Sequence, residues 1–196
     1  ERMAEAIQSV LFDLDGTLAD TALDLGHALN LLRAQHHLPP LPQNLIRPQA
    51  SHGARGLLHL GFGITPEDGR FADLRAAFLD LYALHICDHT QLFPGIAHLL
   101  SDLETRKIAW GVVTNKPARF TLPLMQKLAL DKRAACIVSG DSAARPKPHP
   151  DTLLAATACL QIAPARCLYV GDAERDVSAA TAAGMPALIA AYGYIA

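Results

Sequence analysis

Two aspartates near the start of the chain, Asp13 and Asp15, are candidate catalytic or metal-binding residues because of their position. They directly follow the apolar run Val10–Phe12, which predicts a buried strand of a parallel sheet. Because strand residues alternate faces, carboxylates two residues apart can point the same way. Gly16 then permits a tight turn. Paired acids at the carboxyl end of a central strand suit a hard cation such as Mg²⁺.

A solvated turn or a Ca²⁺-binding loop is the alternative interpretation of this Asp-x-Asp-Gly pattern. A calcium loop of the EF-hand type needs further acidic ligands within a frame of about 12 residues that ends in Glu. The chain instead continues with Thr17, Leu18 and Ala19, which excludes that loop. The apolar run upstream favours an α/β active site.

Further along the chain, other polar residues stand in comparable positions. Thr114 follows an apolar run, and its hydroxyl could bind a phosphate or cap the next helix. Lys147 lies between two prolines, so its ammonium either offsets negative charge at a site or is simply solvated. Asp172 follows another apolar run, and Asp176 comes at a predicted helix start, where an acid is favourable even without a ligand.

The elements that must position these residues alternate between helix and strand from residue 93 onward. Strands are predicted over the ranges 108–113, 135–139, 167–170 and 187–191, with a helix before each. Such alternation predicts an α/β fold, a doubly wound parallel sheet with helices on both faces. In these sheets ligands bind at the carboxyl ends of the strands, which is where Asp13, Thr114 and Asp172 fall.

Residues 19–88 show helical periodicity and no strand pattern. Helices are expected there over the ranges 18–37, 43–60 and 66–85, with a break of the second at Ser51–Gly53 as an alternative. The predicted organisation is a core domain of residues 1–18 and 89–196, with a small all-helical cap subdomain of residues 19–88 inserted after the first strand.

Composition narrows the function classes. The chain has 196 residues, of which 51% are hydrophobic and 18% charged, and its formal net charge is −2. This balance is typical of a globular protein and disfavours nucleic acid or a membrane surface as partner. No apolar run approaches the ~20 residues of a membrane span. The four cysteines form no Cys-x-x-Cys pair and the nine histidines show no zinc spacing, so reduced core thiols and a cytoplasmic location are expected.

Together these motifs resemble those of the haloacid dehalogenase (HAD) superfamily of phosphatases. The segment Asp13–Thr21, with the sequence DLDGTLADT, is similar to the first motif of the family. Thr114 matches the second motif, Lys147 in RPKPHP the third, and the acids of Gly171–Asp176 the fourth. The four motifs occur in the family's order and span nearly the whole chain.

The resemblance implies a Mg²⁺-dependent phosphoric monoester hydrolase that works through an aspartyl-phosphate. Asp13 would attack phosphorus, while Asp15 would protonate the leaving oxygen and then activate water. The phosphate would be held by Gly16, Thr114, Asn115 and Lys147. The metal would be held by Asp13, Asp15 through its backbone carbonyl, and Asp172, with Asp176 in support and Glu174 as a weaker candidate.

The helical block resembles a cap of this family, which would close over the site and contact the leaving group. His52 and Arg55 are the candidate substrate contacts, and an ordinary surface helix junction is the alternative. A small phosphorylated acid is the expected substrate. The cap segment and Thr114–Pro117, with Tyr192–Tyr194, resemble phosphoglycolate phosphatases, which is the first expectation. The longer run Trp110–Phe120, with Tyr192–Ile195, resembles N-acetylmuramic acid 6-phosphate phosphatases, which is the alternative.

Two other protein classes share parts of this pattern. A phosphosugar mutase of the β-phosphoglucomutase type has the same motifs and would reveal itself by needing a bisphosphate activator. A phospho-accepting receiver domain also combines Asp, Thr, Lys and Mg²⁺, but its acceptor aspartate follows a later strand than its acidic pair, unlike the order here. We expect the protein to be a monomer or homodimer that acts on a small-molecule phosphate ester.

Overall fold

The computed structural model of the protein describes residues 6–195. The strands, in chain order, are β1 Ser9–Phe12, β2 Ala19–Asp20, β3 Gln91–Leu92, β4 Ala109–Val113, β5 Ile137–Val138, β6 Cys167–Gly171 and β7 Ala187–Ile189. The α-helices are α1 Ala22–Gln35, α2 Gln43–Ile46, α3 Gly53–Phe62, α4 Phe71–Leu84, α5 Ile96–Thr105, α6 Ala118–Lys127, α7 Asp151–Leu160 and α8 Glu174–Ala183. Two 3₁₀ helices cover Arg47–His52 and Pro164–Arg166.

The main sheet has five parallel strands in the order β5-β4-β1-β6-β7. β1 lies in the middle, so that Ser9 stands opposite Ala109 on one side and Cys167 on the other. All four residues of β1 are buried because helices cover both faces of the sheet. The predicted doubly wound parallel sheet is confirmed.

Alternate residues of β1 supply the two halves of the core. Phe12 belongs to a cluster that includes Leu100 of α5 and Phe120 of α6. Leu11 belongs to a second cluster with Leu153 of α7 and residues of α8. This division follows from the two-residue period of a strand. The residue after β1, Asp13, therefore stands at the end of a strand that is covered on both faces.

A short antiparallel strand pair, β2 with β3, joins the helical segment formed by α1–α4 to the sheet. Asp20 of β2 pairs with Gln91 of β3, which brings the two ends of the helical segment together. The prediction of a helix from residue 18 is therefore wrong at its start, because Ala19–Asp20 is a strand and α1 begins at Ala22. Two residues carry no periodicity of their own, and a distant partner makes them a strand. The cap boundaries at residues 19 and 88 stay predictions.

Other predicted element boundaries move as well. The helix expected over 66–85 begins at Phe71, because the carboxylate of Asp68 accepts the amide of Arg70 and holds a turn there. The strand expected over 135–139 is limited to Ile137–Val138.

The cysteines divide between core and surface. All four are free, and Cys136 and Cys167 are buried as expected. Cys159 on α7 is exposed, so the prediction of a core thiol is wrong there. Among the helices of residues 6–195, none is both long enough and apolar enough to span a bilayer.

Asp24 ties the first helix of the helical segment to the chain that returns to the sheet. Its side chain lies in the first turn of α1 and is fully buried. It accepts the amides of His89 and Thr90 at 3.0 and 2.9 Å and the hydroxyl of Thr90 at 2.7 Å. These bonds hold the two ends of the segment side by side where β2 and β3 pair.

We expect Asp24→Ala to lower the free energy of unfolding by about 2–4 kcal/mol, since it leaves buried donors without their charged acceptor. Urea denaturation would measure the change. The matched control is Asp73→Ala, because Asp73 also lies in the first turn of a helix, α4, but is exposed. It should change stability by less than about 0.5 kcal/mol. Equal losses in the two variants would contradict the role given to Asp24.

Candidate active site

The polar residues singled out in the sequence meet at the carboxyl edge of the sheet. Asp13 follows β1, Thr114 follows β4 and Asp172 follows β6, three adjacent parallel strands. Lys147 reaches the same edge from the loop before α7. All four residues are buried, so their charges and hydrogen bonds have to be satisfied within the protein.

Lys147 is the cation at the centre of this edge. Its Nζ lies 3.2 Å from Asp13 Oδ1 and donates to Asp176 Oδ1 at 2.7 Å. It also donates to the carbonyl of Val113 at 3.1 Å and to the hydroxyl of Tyr169 at 2.6 Å. An ammonium removed from water requires such partners, and the two carboxylates supply the opposite charge.

Asn115 fixes the main chain of Lys147. Its Oδ1 accepts the Lys147 amide at 2.9 Å, and its Nδ2 donates to the Lys147 carbonyl at 2.8 Å. Two hydrogen bonds of opposite sense set the position of the lysine loop against the end of β4. The side chain of Asn115 thus acts on Lys147, and the expected role of Asn115 in phosphate binding stays a prediction.

Tyr169 is a site residue that the sequence pattern did not reveal. Its hydroxyl accepts from Lys147 and donates to the carbonyl of Val113 at 2.8 Å. Burial, with the nearby charges of Asp13 and Asp176, raises the pKa of Tyr169 well above its ordinary value, so the hydroxyl stays protonated as a donor. In the sequence Tyr169 is one more apolar residue of a strand, and only the fold shows its partners.

Three buried carboxylates, those of Asp13, Asp172 and Asp176, form an acidic cluster whose ligand oxygens lie within 4.8 Å of one another. Burial raises the pKa of Asp13 to about 7, an effect that Lys147 opposes and Asp176 increases. One ammonium among three carboxylates leaves negative charge that a divalent cation would neutralise. An all-oxygen donor set of this kind suits Mg²⁺, so the residues fit the predicted metal.

Within this cluster Asp176 is bound on both of its carboxylate oxygens. Its Oδ1 accepts from Lys147, and its Oδ2 accepts the amide of Ala173 at 3.0 Å at the start of α8. Its supporting role at a metal site stays a prediction. Glu174, the weaker candidate, is exposed.

Gly16 lets the first motif loop approach Asp172. Its φ is +81°, and a Cβ there would lie 2.2 Å from Asp172 Oδ2. The next residue, Thr17, directs its hydroxyl to Asp172 Oδ1 at 3.4 Å. A side chain at position 16 would thus displace the acid, in addition to the strain of a left-handed backbone.

Asp15 has a cation of its own, Lys116. The Nζ of Lys116 lies 2.7 Å from Asp15 Oδ1, and the Thr21 hydroxyl donates to the same oxygen at 2.6 Å. Burial acts to raise the pKa of Asp15, but the charge and hydrogen bond of Lys116 outweigh it and lower that pKa. The ammonium also stands 4.7 Å from the ring centre of Tyr82 on α4. Lys116 was not among the predicted site residues.

A cavity of about 690 Å³ lies between the helical segment and the carboxyl edge of the sheet. Asp13, Asp15 and Thr114 line it on the sheet side. The predicted substrate contacts His52 and Arg55 line the opposite side, and both are exposed. The cavity therefore joins the predicted catalytic residues to the predicted specificity residues.

Two features of the cavity were not predicted. Arg75, on the exposed side of α4, adds a second guanidinium to the cap side. Phe78 and Tyr82 of α4 and Phe120 of α6 form an aromatic wall, with ring centres 6.4 Å apart for Phe78 and Tyr82 and 5.6 Å apart for Tyr82 and Phe120. Cationic and aromatic surfaces thus share one cavity.

Two contacts cross from the helical segment to the acidic cluster. Ser51 donates its hydroxyl to Asp172 Oδ2 at 2.7 Å. Arg175, in the first turn of α8, donates to the carbonyl of Ser51 and lines the cavity beside it. The 3₁₀ helix Arg47–His52 is thereby held beside the acid expected to bind metal.

The fold and the site together define a Rossmann-like α/β enzyme with a carboxylate and lysine site beneath a helical segment. The chain belongs to the haloacid dehalogenase-like hydrolase family, whose model matches residues 10–190. The family predicted from the four motifs is confirmed.

Individual relatives share most of the chain. It is 42% identical over 189 residues to an N-acetylmuramic acid 6-phosphate phosphatase of Pseudomonas putida. That alignment covers 96% of this chain and 85% of the relative. It is 40% identical over 187 residues to a phosphoglycolate phosphatase of Xanthomonas campestris, covering 95% and 84%. The crystal structure of a predicted phosphoglycolate phosphatase from Haemophilus somnus has a TM-score of 0.85 at 26% identity, covering 96% and 87%. The predicted enzyme class, phosphoric monoester hydrolase, is confirmed.

Tyr169→Phe tests the contacts of Lys147. Loss of the hydroxyl leaves the ammonium and the Val113 carbonyl each without one partner, so we expect a loss of about 1–3 kcal/mol in the free energy of unfolding. Tyr192→Phe is the matched control, because its hydroxyl donates to the Thr17 carbonyl from a half-exposed side chain, where water can replace it. Urea denaturation of both variants measures the difference, and a stability unchanged by Tyr169→Phe would refute the assignment.

Proposed function

We propose that Asp13 is the nucleophile of a phosphomonoester hydrolase. The observation that carries this proposal is the state of its two oxygens. Oδ1 accepts the Leu14 amide at 2.8 Å and lies beside Lys147, whereas Oδ2 forms no hydrogen bond within residues 6–195. Asp13 also lines the cavity. A carboxylate held by one oxygen and free at the other is suited to attack phosphorus and form an aspartyl-phosphate.

Asp15 is the proposed acid and base. Lys116 and Thr21 hold its Oδ1, so the carboxyl group is fixed at the cavity wall two residues from the nucleophile. In this position it protonates the leaving alcohol oxygen in the first step and takes a proton from water in the second. Thr114 and Lys147 hold the oxygens of the transferring phosphoryl group.

Asp13, the main-chain carbonyl of Asp15 and Asp172 are the proposed holders of Mg²⁺, with Asp176 supporting them. The bound cation would neutralise charge on the phosphate oxygens. Lys147 belongs to the same site. The side-chain amide of Asn115 supports it by holding the loop that carries the Lys147 ammonium. The protein is expected to act in the cytoplasm, as a monomer or homodimer, on a small-molecule ester.

The proposed substrate is a phosphate ester that also carries a carboxylate. Arg55 and Arg75 line the same cavity as Asp13 and Asp15, and guanidinium groups bind carboxylates well. Both relatives described above are named for substrates of this chemistry. A volume of about 690 Å³ falls in the ~300–1,000 Å³ range of sites for larger ligands. That size and the aromatic wall favour N-acetylmuramic acid 6-phosphate over the two-carbon 2-phosphoglycolate.

Phosphate release with Mg²⁺ from these two esters and from p-nitrophenyl phosphate tests the substrate. We expect the highest kcat/KM for N-acetylmuramic acid 6-phosphate, because its size suits the cavity and its carboxylate can pair with a lining arginine. Arg55→Gln and Arg75→Gln should each raise KM for it by about tenfold or more through loss of a charged hydrogen bond. Hydrolysis of p-nitrophenyl phosphate, which has no carboxylate, should be unchanged.

Arg70→Gln is the control for the cationic side. Arg70 belongs to the same helical segment, but its exposed guanidinium pairs with Asp68 at 2.8 Å and it does not line the cavity. A preference for 2-phosphoglycolate, or arginine variants that behave like the control, would remove the amino sugar assignment while leaving the phosphatase intact.

Asp13→Asn tests the nucleophile. The amide has the same shape but cannot form the covalent intermediate, so we expect turnover of every ester to fall by about 10³-fold or more. Circular dichroism should show an unchanged fold. Glu174→Gln makes the same chemical change at the exposed acid between Asp172 and Asp176 and should keep full activity. Survival of activity in Asp13→Asn would show that another group attacks phosphorus.

A further inference from the structure

The segment after β7 returns to the active site and places Tyr194 beneath the first motif loop. Its side chain is 4% exposed, and its ring centre lies 6.2 Å from that of Phe93, just after β3. The sequence singles out Tyr192–Tyr194 only as a point of resemblance to relatives, and neither the nucleophile nor the phosphate contacts explain a buried tyrosine here.

The hydroxyl of Tyr194 is bound to the start of the helical segment. It accepts the amide of Thr21 at 2.7 Å and the amide of Ala22 at 3.0 Å, and it donates to Asp20 Oδ1 at 2.8 Å. Asp20 in turn pairs with Arg47 at 3.0 Å, and the Arg47 guanidinium stands 5.0 Å from the centre of the Tyr194 ring. One phenol thus satisfies the first amides of α1 and the last residue of β2.

The backbone of the same residue is bound to the acidic cluster. The Tyr194 amide donates to Asp172 Oδ2 at 3.0 Å. Close approach is possible because glycines lie on both sides: a Cβ at Gly16 would stand 2.9 Å from the Tyr194 ring, and one at Gly193 would stand 2.4 Å from the Asp172 side chain. The backbone of Tyr194 is therefore in direct contact with the Asp172 carboxylate.

We propose that Tyr194 is a positioning residue that couples the metal-site carboxylate of Asp172 to the hinge of the helical segment at Thr21 and Ala22. The proposal rests on the proposed function in one respect, that Asp172 holds the metal. When Asp172 is fixed, the Tyr194 backbone is fixed with it, and the phenol then holds the two hinge amides. Metal binding would thereby order the base of the segment that covers the cavity.

A second route between the same regions has to be separated from this one. Ser51 of the helical segment donates to the same oxygen, Asp172 Oδ2. That contact reaches the 3₁₀ helix Arg47–His52 and not the hinge amides, so Ser51→Ala removes it while leaving Tyr194 in place. Tyr192→Phe serves as the chemically matched control, since its hydroxyl binds the Thr17 carbonyl instead of the hinge.

Amide hydrogen exchange with the metal alone tests the coupling. In the unaltered protein we expect Mg²⁺ to slow exchange of the Thr21 and Ala22 amides by about fivefold, the change that one net hydrogen bond produces. In Tyr194→Phe these amides should exchange faster without metal and should no longer respond to Mg²⁺. Tyr192→Phe and Ser51→Ala should respond as the unaltered protein does. Calorimetric titration of the same samples with Mg²⁺ should give an affinity in Tyr194→Phe within about threefold of the original, because the Asp172 contact comes from the backbone.

Two results would overturn the proposal. The first is a protein that binds Mg²⁺ and hydrolyses esters but whose hinge amides respond equally in Tyr194→Phe, or do not respond at all. That result removes the coupling and leaves the proposed function standing. The second is a titration without Mg²⁺ binding, which removes the metal assignment and the coupling together.

Discussion

The rest of the site depends on one constraint, the buried negative charge at the carboxyl edge of the sheet. Asp13, Asp172 and Asp176 are almost entirely buried, and their oxygens converge within 4.8 Å. Isolated buried carboxylates are costly, and a buried ion pair is stable only when hydrogen bonds satisfy its remaining groups. Lys147 neutralises part of this negative charge, and a bound divalent cation would neutralise the rest. The cluster therefore requires cations and hydrogen-bond donors as its neighbours.

The neighbourhood of Lys147 follows from that demand. A buried ammonium has three donors to satisfy, and here β4 provides the Val113 carbonyl, β6 provides the Tyr169 hydroxyl and α8 provides Asp176. Each acceptor comes from a different element, so the lysine can be satisfied only when the sheet is correctly assembled. The hydrogen bonds of the Lys147 ammonium therefore depend on the topology of the sheet.

The sequence predicted what depends on local pattern. An apolar run followed by Asp13, and others followed by Thr114 and Asp172, located the sheet edge and its chemistry. Partners that are remote in sequence could not be predicted in this way. Lys116 reaches Asp15 across 101 positions and Tyr194 reaches Asp20 across 174, and no periodicity connects them.

Asp15 and Asp13 are neighbours in sequence, yet the fold gives them separate cations with different origins. The Lys147 ammonium is held by the sheet and its flanking helix, so the position of Asp13, the proposed nucleophile, does not depend on the helical segment. Lys116 lies between Asp15 and the face of Tyr82 on α4, so the surroundings of the proposed acid and base change whenever that helix moves. A leaving group bound against α4 would displace the same surroundings. In the proposed mechanism, phosphoryl attack would therefore depend on the sheet, and leaving-group chemistry would depend on the helical segment.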